Sequence, residues 1–90
     1  MLEIVFSSQF KKDYKKAVKQ SKDINHLKEV IEKLCKKEKL DQKYFDHKLS
    51  GKLKEYRDCH IEPDWVLIYK TTETELFLVR IGTHAELFRG

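Results

Sequence analysis

The order of hydrophobic periodicities along the chain predicts an α+β fold, β-α-α-β-β-β, with a helical hairpin packed on a mainly antiparallel four-stranded sheet. Three observations carry this expectation. A short apolar run opens the chain, two stretches then repeat apolar residues at helical spacing, and three later apolar runs are separated by turns of a few residues. Ninety residues leave room for one core, so a single domain spanning 1–90 is expected.

Leu2 to Phe6 is the opening run, suited to a strand. Ser7-Ser8 offers hydroxyls that cap the first N–H groups of a following helix. Phe10, Tyr14, Ala17 and Val18 then fall at helical spacing, with Lys11, Lys12, Lys15, Lys16 and Lys19 around the rest of the circumference. Gln20-Ser21-Lys22-Asp23 breaks the pattern and supplies a second cap. Ile24, Leu27, Ile31, Leu34 and Cys35 mark a second amphipathic helix. A break this short makes the pair an antiparallel hairpin, and two apolar stripes need something flat to cover them.

The flat partner follows. Leu40 to Lys52 reads as a loop, punctuated by Asp46-His47 and Ser50-Gly51. Leu53 to Ile61 reads as a strand, Glu62-Pro63-Asp64 as a turn and Trp65 to Lys70 as a strand. Thr71 to Thr74 is a further turn before a last strand, Glu75 to Ile81. Turns of this length join antiparallel neighbours. Val66-Leu67-Ile68-Tyr69 and Leu76-Phe77-Leu78-Val79 are apolar at every position, which predicts cover on both faces or one face awaiting a partner. The chain has no internal repeat, linker or low-complexity segment.

Apolar residues make up 40% of the chain and charged residues 38%, so a compact core must lie under a very polar surface. No stretch approaches the roughly 18 uninterrupted apolar residues of a membrane span, and the N-terminus has no basic region ahead of its apolar run. The expectation is a cytoplasmic protein with no membrane partner. Cys35 and Cys59 lack close CxxC spacing and fall on a helix and a strand, which reads as two buried free thiols. The net charge of +4 conceals an asymmetry: residues 1–54 hold 15 lysines and no arginine against eight acids, while residues 55–90 hold four basic groups against seven acids. A lysine-dense half attracts polyanions, and it equally serves as a solvated face.

The chemistry-bearing residues gather in the second half. His47 lies in the loop, His60 near a strand end and His84 just past the last strand. Asp58 is two residues from His60 and shares its face of the strand, Asp64 sits in the following turn, and Arg80 is near the end of the last strand. Loops and strand ends are where a rigid scaffold presents catalytic groups. RNA cleavage by the substrate's own 2′-hydroxyl needs a base, an acid and a cation for the phosphorane. Imidazoles divide the first two duties near neutral pH, and a guanidinium supplies forked donors to phosphate. Trp65, Tyr56 and Phe88 offer rings on which unpaired bases stack.

Each residue also has a plainer reading. His26 is expected to be a surface or capping residue, His60 a half-buried strand residue bonded to Asp58, and His47 an orderer of its loop. Asp64 caps a turn, Trp65 belongs to the core, Arg80 forms a rim salt bridge, and Phe88 fastens the C-terminus. Three histidines and an aspartate also suit zinc, but the spacings match no ligand motif. No metal and no cofactor is expected.

Three ordered blocks carry a resemblance. They are Asp46-His47-Lys48-Leu49-Ser50-Gly51, Tyr56-Arg57-Asp58-Cys59-His60-Ile61-Glu62-Pro63-Asp64-Trp65 with the strand that follows, and Arg80-Ile81-Gly82-Thr83-His84-Ala85-Glu86-Leu87-Phe88. Together they resemble the YafQ-like branch of the RelE/ParE superfamily of type II toxins. The resemblance implies a RelE-like fold and an endoribonuclease, an mRNA interferase, that cleaves mRNA on the ribosome, inhibits translation and is neutralised by a cognate antitoxin. It places His47, His60, Asp64 and His84 in the acid–base group, Arg80 at the scissile phosphate and Phe88 on the mRNA, with Asp58 and Trp65 around the site. The free toxin is expected to be monomeric. Two other readings stay open: a non-catalytic ParE-like toxin that blocks a topoisomerase, and a basic RNA-binding module.

Overall fold

The computed structural model describes residues 1–49 and 55–88. Strand β1 (Glu3–Phe6) leads into helix α1 (Ser8–Lys19) and helix α2 (Ile24–Cys35). A 3-10 turn at Gln42–Tyr44 precedes β2 (His47–Lys48), β3 (Arg57–Glu62), β4 (Trp65–Thr71), β5 (Glu75–Gly82) and the short helix α3 (His84–Phe88). Among the described residues the sheet has five strands in the order β1-β5-β4-β3-β2. The β-α-α-β-β-β order holds, with one strand more than the expected four. The extra strand is β2, whose two residues pair with Asp58 and Arg57 of β3; two residues are too few to leave a periodicity. The 3-10 turn, capped by the Asp41 carboxylate on the Lys43 N–H at 3.0 Å, also lies in the expected loop. The Ser50-Gly51 punctuation and the expected strand start at Leu53 fall outside the described residues.

Both predicted caps form. The Ser7 hydroxyl accepts the Phe10 N–H at 2.9 Å, and the Asp23 carboxylate accepts the His26 N–H at 3.0 Å. Phe10 and Ala17 of α1 are buried, but Val18 is exposed. In α2 the buried stripe runs Leu27, Val30, Leu34 and Cys35, with Ile24 and Ile31 only partly covered. These helices cover Cys59, Ile61, Trp65, Leu67, Tyr69, Leu76 and Leu78 on one face of the sheet. Val66 and Ile68 point to the opposite face and are still buried, so β4 is covered on both sides as its continuous apolar run requires. Cys35 and Cys59 are buried free thiols, and burial pushes both pKa values up, away from the reactive thiolate. Among the described residues no helix is long and apolar enough to cross a membrane.

The end of β5 is organised by α1. The parallel β1–β5 ladder stops at Phe6 and Leu78, and side chains continue it. The Ser7 hydroxyl donates to the Val79 carbonyl at 2.6 Å, and the Asp13 carboxylate accepts the Ile81 N–H at 3.2 Å. Beside this edge the β4–β5 register shifts, pairing Ile68 with Arg80 but Tyr69 with Leu78, so Val79 is an extra residue. Strict alternation from Leu76 and Leu78 would send Arg80 into the core. The bulge reverses the parity, so Ile81 is buried and Arg80 joins Ile68 on the opposite face.

Candidate active site

The face away from the helices carries a row of directly paired residues: His47 on β2, Asp58 on β3, Ile68 on β4 and Arg80 on β5. A second row holds His60, Val66 and Gly82. Buried Val66 and Ile68 thus form an apolar floor with titratable side chains on either side.

Asp46 anchors the segment entering β2. Its carboxylate accepts the Tyr69 hydroxyl at 2.6 Å and Arg57 Nε at 3.1 Å. Its neighbours, Phe45 and His47, face the site. His47 Nδ1 donates to the Phe45 carbonyl at 2.8 Å and lies 2.9 Å from Asp58 Oδ1. The second approach is an ion contact rather than a hydrogen bond, because the ring N–H is aimed at the carbonyl; Asp58 Oδ1 receives no hydrogen bond among the described residues. Asp58 is buried, and desolvation raises its pKa, while positive charge on His47, His60 or His84 draws it back down.

The third histidine is positioned by α3. Thr83-His84-Ala85-Glu86 is a capping box: the Thr83 hydroxyl accepts the Glu86 N–H at 3.2 Å, and Glu86 Oε1 accepts the Thr83 N–H at 2.9 Å. Lys16 of α1 pairs with the other Glu86 oxygen. Gly82 lets this turn close, since a β-carbon there would lie 3.0 Å from Glu86 Oε1 and 3.2 Å from Leu87. Asp64, in the β3–β4 turn, accepts both the His84 backbone N–H at 3.0 Å and its Nδ1 at 2.7 Å. These two hydrogen bonds hold the Asp64 carboxyl below its ordinary range. His84 therefore presents Nε2 outward, as does His47 with its own Nδ1 engaged.

The rings form a chain. His60 lies 5.0 Å from His84 and 6.5 Å from His47, between centroids. Phe88 flanks His84 at 6.2 Å, and Phe45 flanks His47 at 4.6 Å and His60 at 5.5 Å. The fold thus brings together His47, Asp58, His60, Asp64, His84 and Phe88. Trp65 is not part of this surface: it is 2% exposed and packs in the core, where no base can stack on it. Asp58, expected at the substrate, is instead buried beside His47. Arg80 is on the site face, but Asp13 of α1 holds its Nε at 3.1 Å and Nη2 at 3.0 Å. Tyr56 carries the Lys70 ammonium over its ring at 5.6 Å.

His26 is more than a surface residue, since its Nε2 meets the buried Tyr44 hydroxyl at 3.0 Å and ties the 3-10 turn to α2. Asp23, His26 and Glu62 bring one ligating atom each within 4.8 Å, away from the three-imidazole cluster. The Thr83–Glu86 box is visible in the sequence as a T-x-x-E pattern, whereas Asp13 and Phe45 carry no local signal, and Asp46, although it opens a motif block, has none for its bonds to Tyr69 and Arg57.

Fold and site together define a small α+β domain with three imidazoles and a carboxylate gathered on one exposed surface. A family model described as the bacterial toxin of type II toxin-antitoxin system, YafQ, matches residues 2–89. The mRNA interferase toxin YafQ of Escherichia coli (strain K12) is 48% identical over 87 residues, covering 96% of this chain and 95% of that protein. The structure of the E. coli DinJ–YafQ toxin–antitoxin complex includes a chain 48% identical to this one with a TM-score of 0.90 and 97% of each chain covered. A metal-bound toxin from Helicobacter pylori is 46% identical with a TM-score of 0.92, covering 98% of this chain and 100% of that one. The chain belongs to the YafQ family of bacterial type II toxins.

Proposed function

We propose that this toxin is an mRNA endoribonuclease that cleaves on the ribosome, without a metal, by attack of the substrate's 2′-hydroxyl. The observation that carries the reading is the cluster of three imidazoles on one exposed end of the sheet, two of them anchored through Nδ1. His84 and one of His47 or His60 act as the acid–base pair. One takes the 2′-hydroxyl proton as the 2′-oxygen bonds to phosphorus. The other protonates the 5′-oxygen as the P–O5′ bond breaks, leaving a 2′,3′-cyclic phosphate and a 5′-hydroxyl. Asp64 orients His84 by accepting both its backbone N–H and its Nδ1–H. Arg80 offers the phosphorane its remaining N–H groups, with Asp13 setting the plane of the guanidinium. Phe88 places the mRNA by stacking.

A cognate antitoxin restrains the toxin. A groove of about 730 Å³ between β1, α1 and α2 is lined by Ile4, Phe6, Phe10, Tyr14 and Ile31 and edged by Lys11, Lys15 and Lys28. Its apolar floor and basic rim suit an acidic amphipathic segment. Exposed imidazoles are not needed by a protein that only blocks a topoisomerase, and they favour cleavage over that reading.

The test is cleavage of mRNA on ribosomes by wild type and His84→Ala, with folding followed by circular dichroism. The variant is expected to lose at least about 100-fold in rate with its fold intact. Full cleavage by folded H84A, or a product ending in a plain 3′-hydroxyl, overturns the mechanism.

A further inference from the structure

We infer that Phe45 is a second nucleobase platform, opposite Phe88 across the histidine cluster, so that the mRNA is gripped by an aromatic ring on each side of the cut. The inference rests on the endoribonuclease reading above and adds a residue to it. Phe45 is 61% exposed and lies outside the core, whereas Phe88, at the other end of the ring chain, is 42% exposed. Its ring stands 4.6 Å from His47 and 5.5 Å from His60. Single-stranded RNA is held by stacking of splayed bases on such exposed rings.

The backbone adds a second, independent observation. Phe45 adopts φ 47° and ψ 49°, the left-handed region that a bulky residue rarely enters. Hydrogen bonds on both sides hold this conformation. The Phe45 N–H bonds the Gln42 carbonyl at 3.0 Å, its carbonyl receives His47 Nδ1, and Asp46 is held by Tyr69 and Arg57. Glycine would meet the same constraints with less strain. A large aromatic in a position that favours glycine packs only its edge contacts with His47 and His60 and leaves 61% of its surface exposed; beside the imidazoles that surface suits a planar, apolar ligand. Nucleobases flanking the scissile phosphate are that ligand.

The experiment compares wild type, Phe45→Gly and Phe45→Trp on ribosomes programmed with a defined mRNA, recording thermal midpoint, KM, kcat and the positions of the cuts. F45G is expected to melt at or above the wild-type temperature, since the left-handed residue becomes glycine. Its KM should rise about tenfold, the effect of losing one stacked base, with a smaller change in kcat. F45W should restore KM toward wild type and shift the preferred cut positions. Wild-type KM and cutting pattern in F45G, with wild type active, overturns the platform while leaving the nuclease reading intact. F45G that melts far below wild type also overturns it, because the ring would then be a structural support. If wild type itself leaves the mRNA uncut, the nuclease reading fails and the platform with it.

Discussion

Beneath the imidazoles, Asp58 combines burial with one carboxylate oxygen that receives no hydrogen bond among the described residues. Desolvation raises its pKa above the ordinary 3.8. A carboxyl whose pKa is higher in the folded state favours folding while protonated, and that contribution declines as pH rises from 3.8 through the folded value. Asparagine cannot ionise, so Asp58→Asn should gain stability relative to wild type between pH 4 and pH 7, measured by urea midpoints. A relative loss over that interval would contradict the account. The same variant should cut mRNA more slowly, because His47 loses its ion contact.

Helix α3 is held by contacts that a helix of five residues cannot replace from within. Thr83→Ala removes the N-cap acceptor and should cost α3 about 1 kcal/mol, and Gly82→Ala should force Glu86 aside. In both, cleavage should fall more than the thermal midpoint does, since His84 is displaced while the sheet survives. Asp64 and Glu86 both have pKa values lowered below their ordinary 3.8 and 4.5, Asp64 by the His84 N–H and Nδ1, Glu86 by Lys16 and the Thr83 N–H. Their contribution is present above those ordinary values and is lost as pH falls through the lower, folded ones. The resonances of α3 should therefore broaden or shift below about pH 4, before the β4 core opens. On α1, Asp13→Ala should cost about 3 kcal/mol by leaving Arg80 and the Ile81 N–H without their acceptor, measured by denaturant unfolding. A cost near zero would show that the β5 edge does not depend on α1.

At the scale of the molecule, the histidine cluster and the lysine-coated helices occupy different parts of the fold, and the proposed function gives them separate tasks. Lysines attract the phosphate backbone of the proposed substrate. Lys12→Gln with Lys19→Gln should flatten the decline of ribosome binding with salt while the His84-dependent chemistry persists. Phe6→Asp, in the apolar groove, should weaken neutralisation by the antitoxin, measured as cleavage remaining at a fixed antitoxin excess. An undiminished block would move the antitoxin elsewhere.

Element order, both long-helix caps and the two buried thiols were legible in the sequence, because each depends on local periodicity or on neighbouring residues. So were His47, His60, Asp64, His84 and Phe88 as a set, through motif blocks rather than through spacing. The tertiary structure alone decided which face each side chain took. One extra residue at Val79 turned Arg80 out of the core, and pairing with β3 made a strand of His47–Lys48. Trp65 went to the core, and Arg80 acquired Asp13, 67 residues away in the chain. Phe45 has a left-handed backbone, with its N–H bonded to Gln42 and its carbonyl to His47, and its ring stands beside the histidines. Strand parity and side-chain partners depend on residues far apart in the chain, which local patterns do not encode.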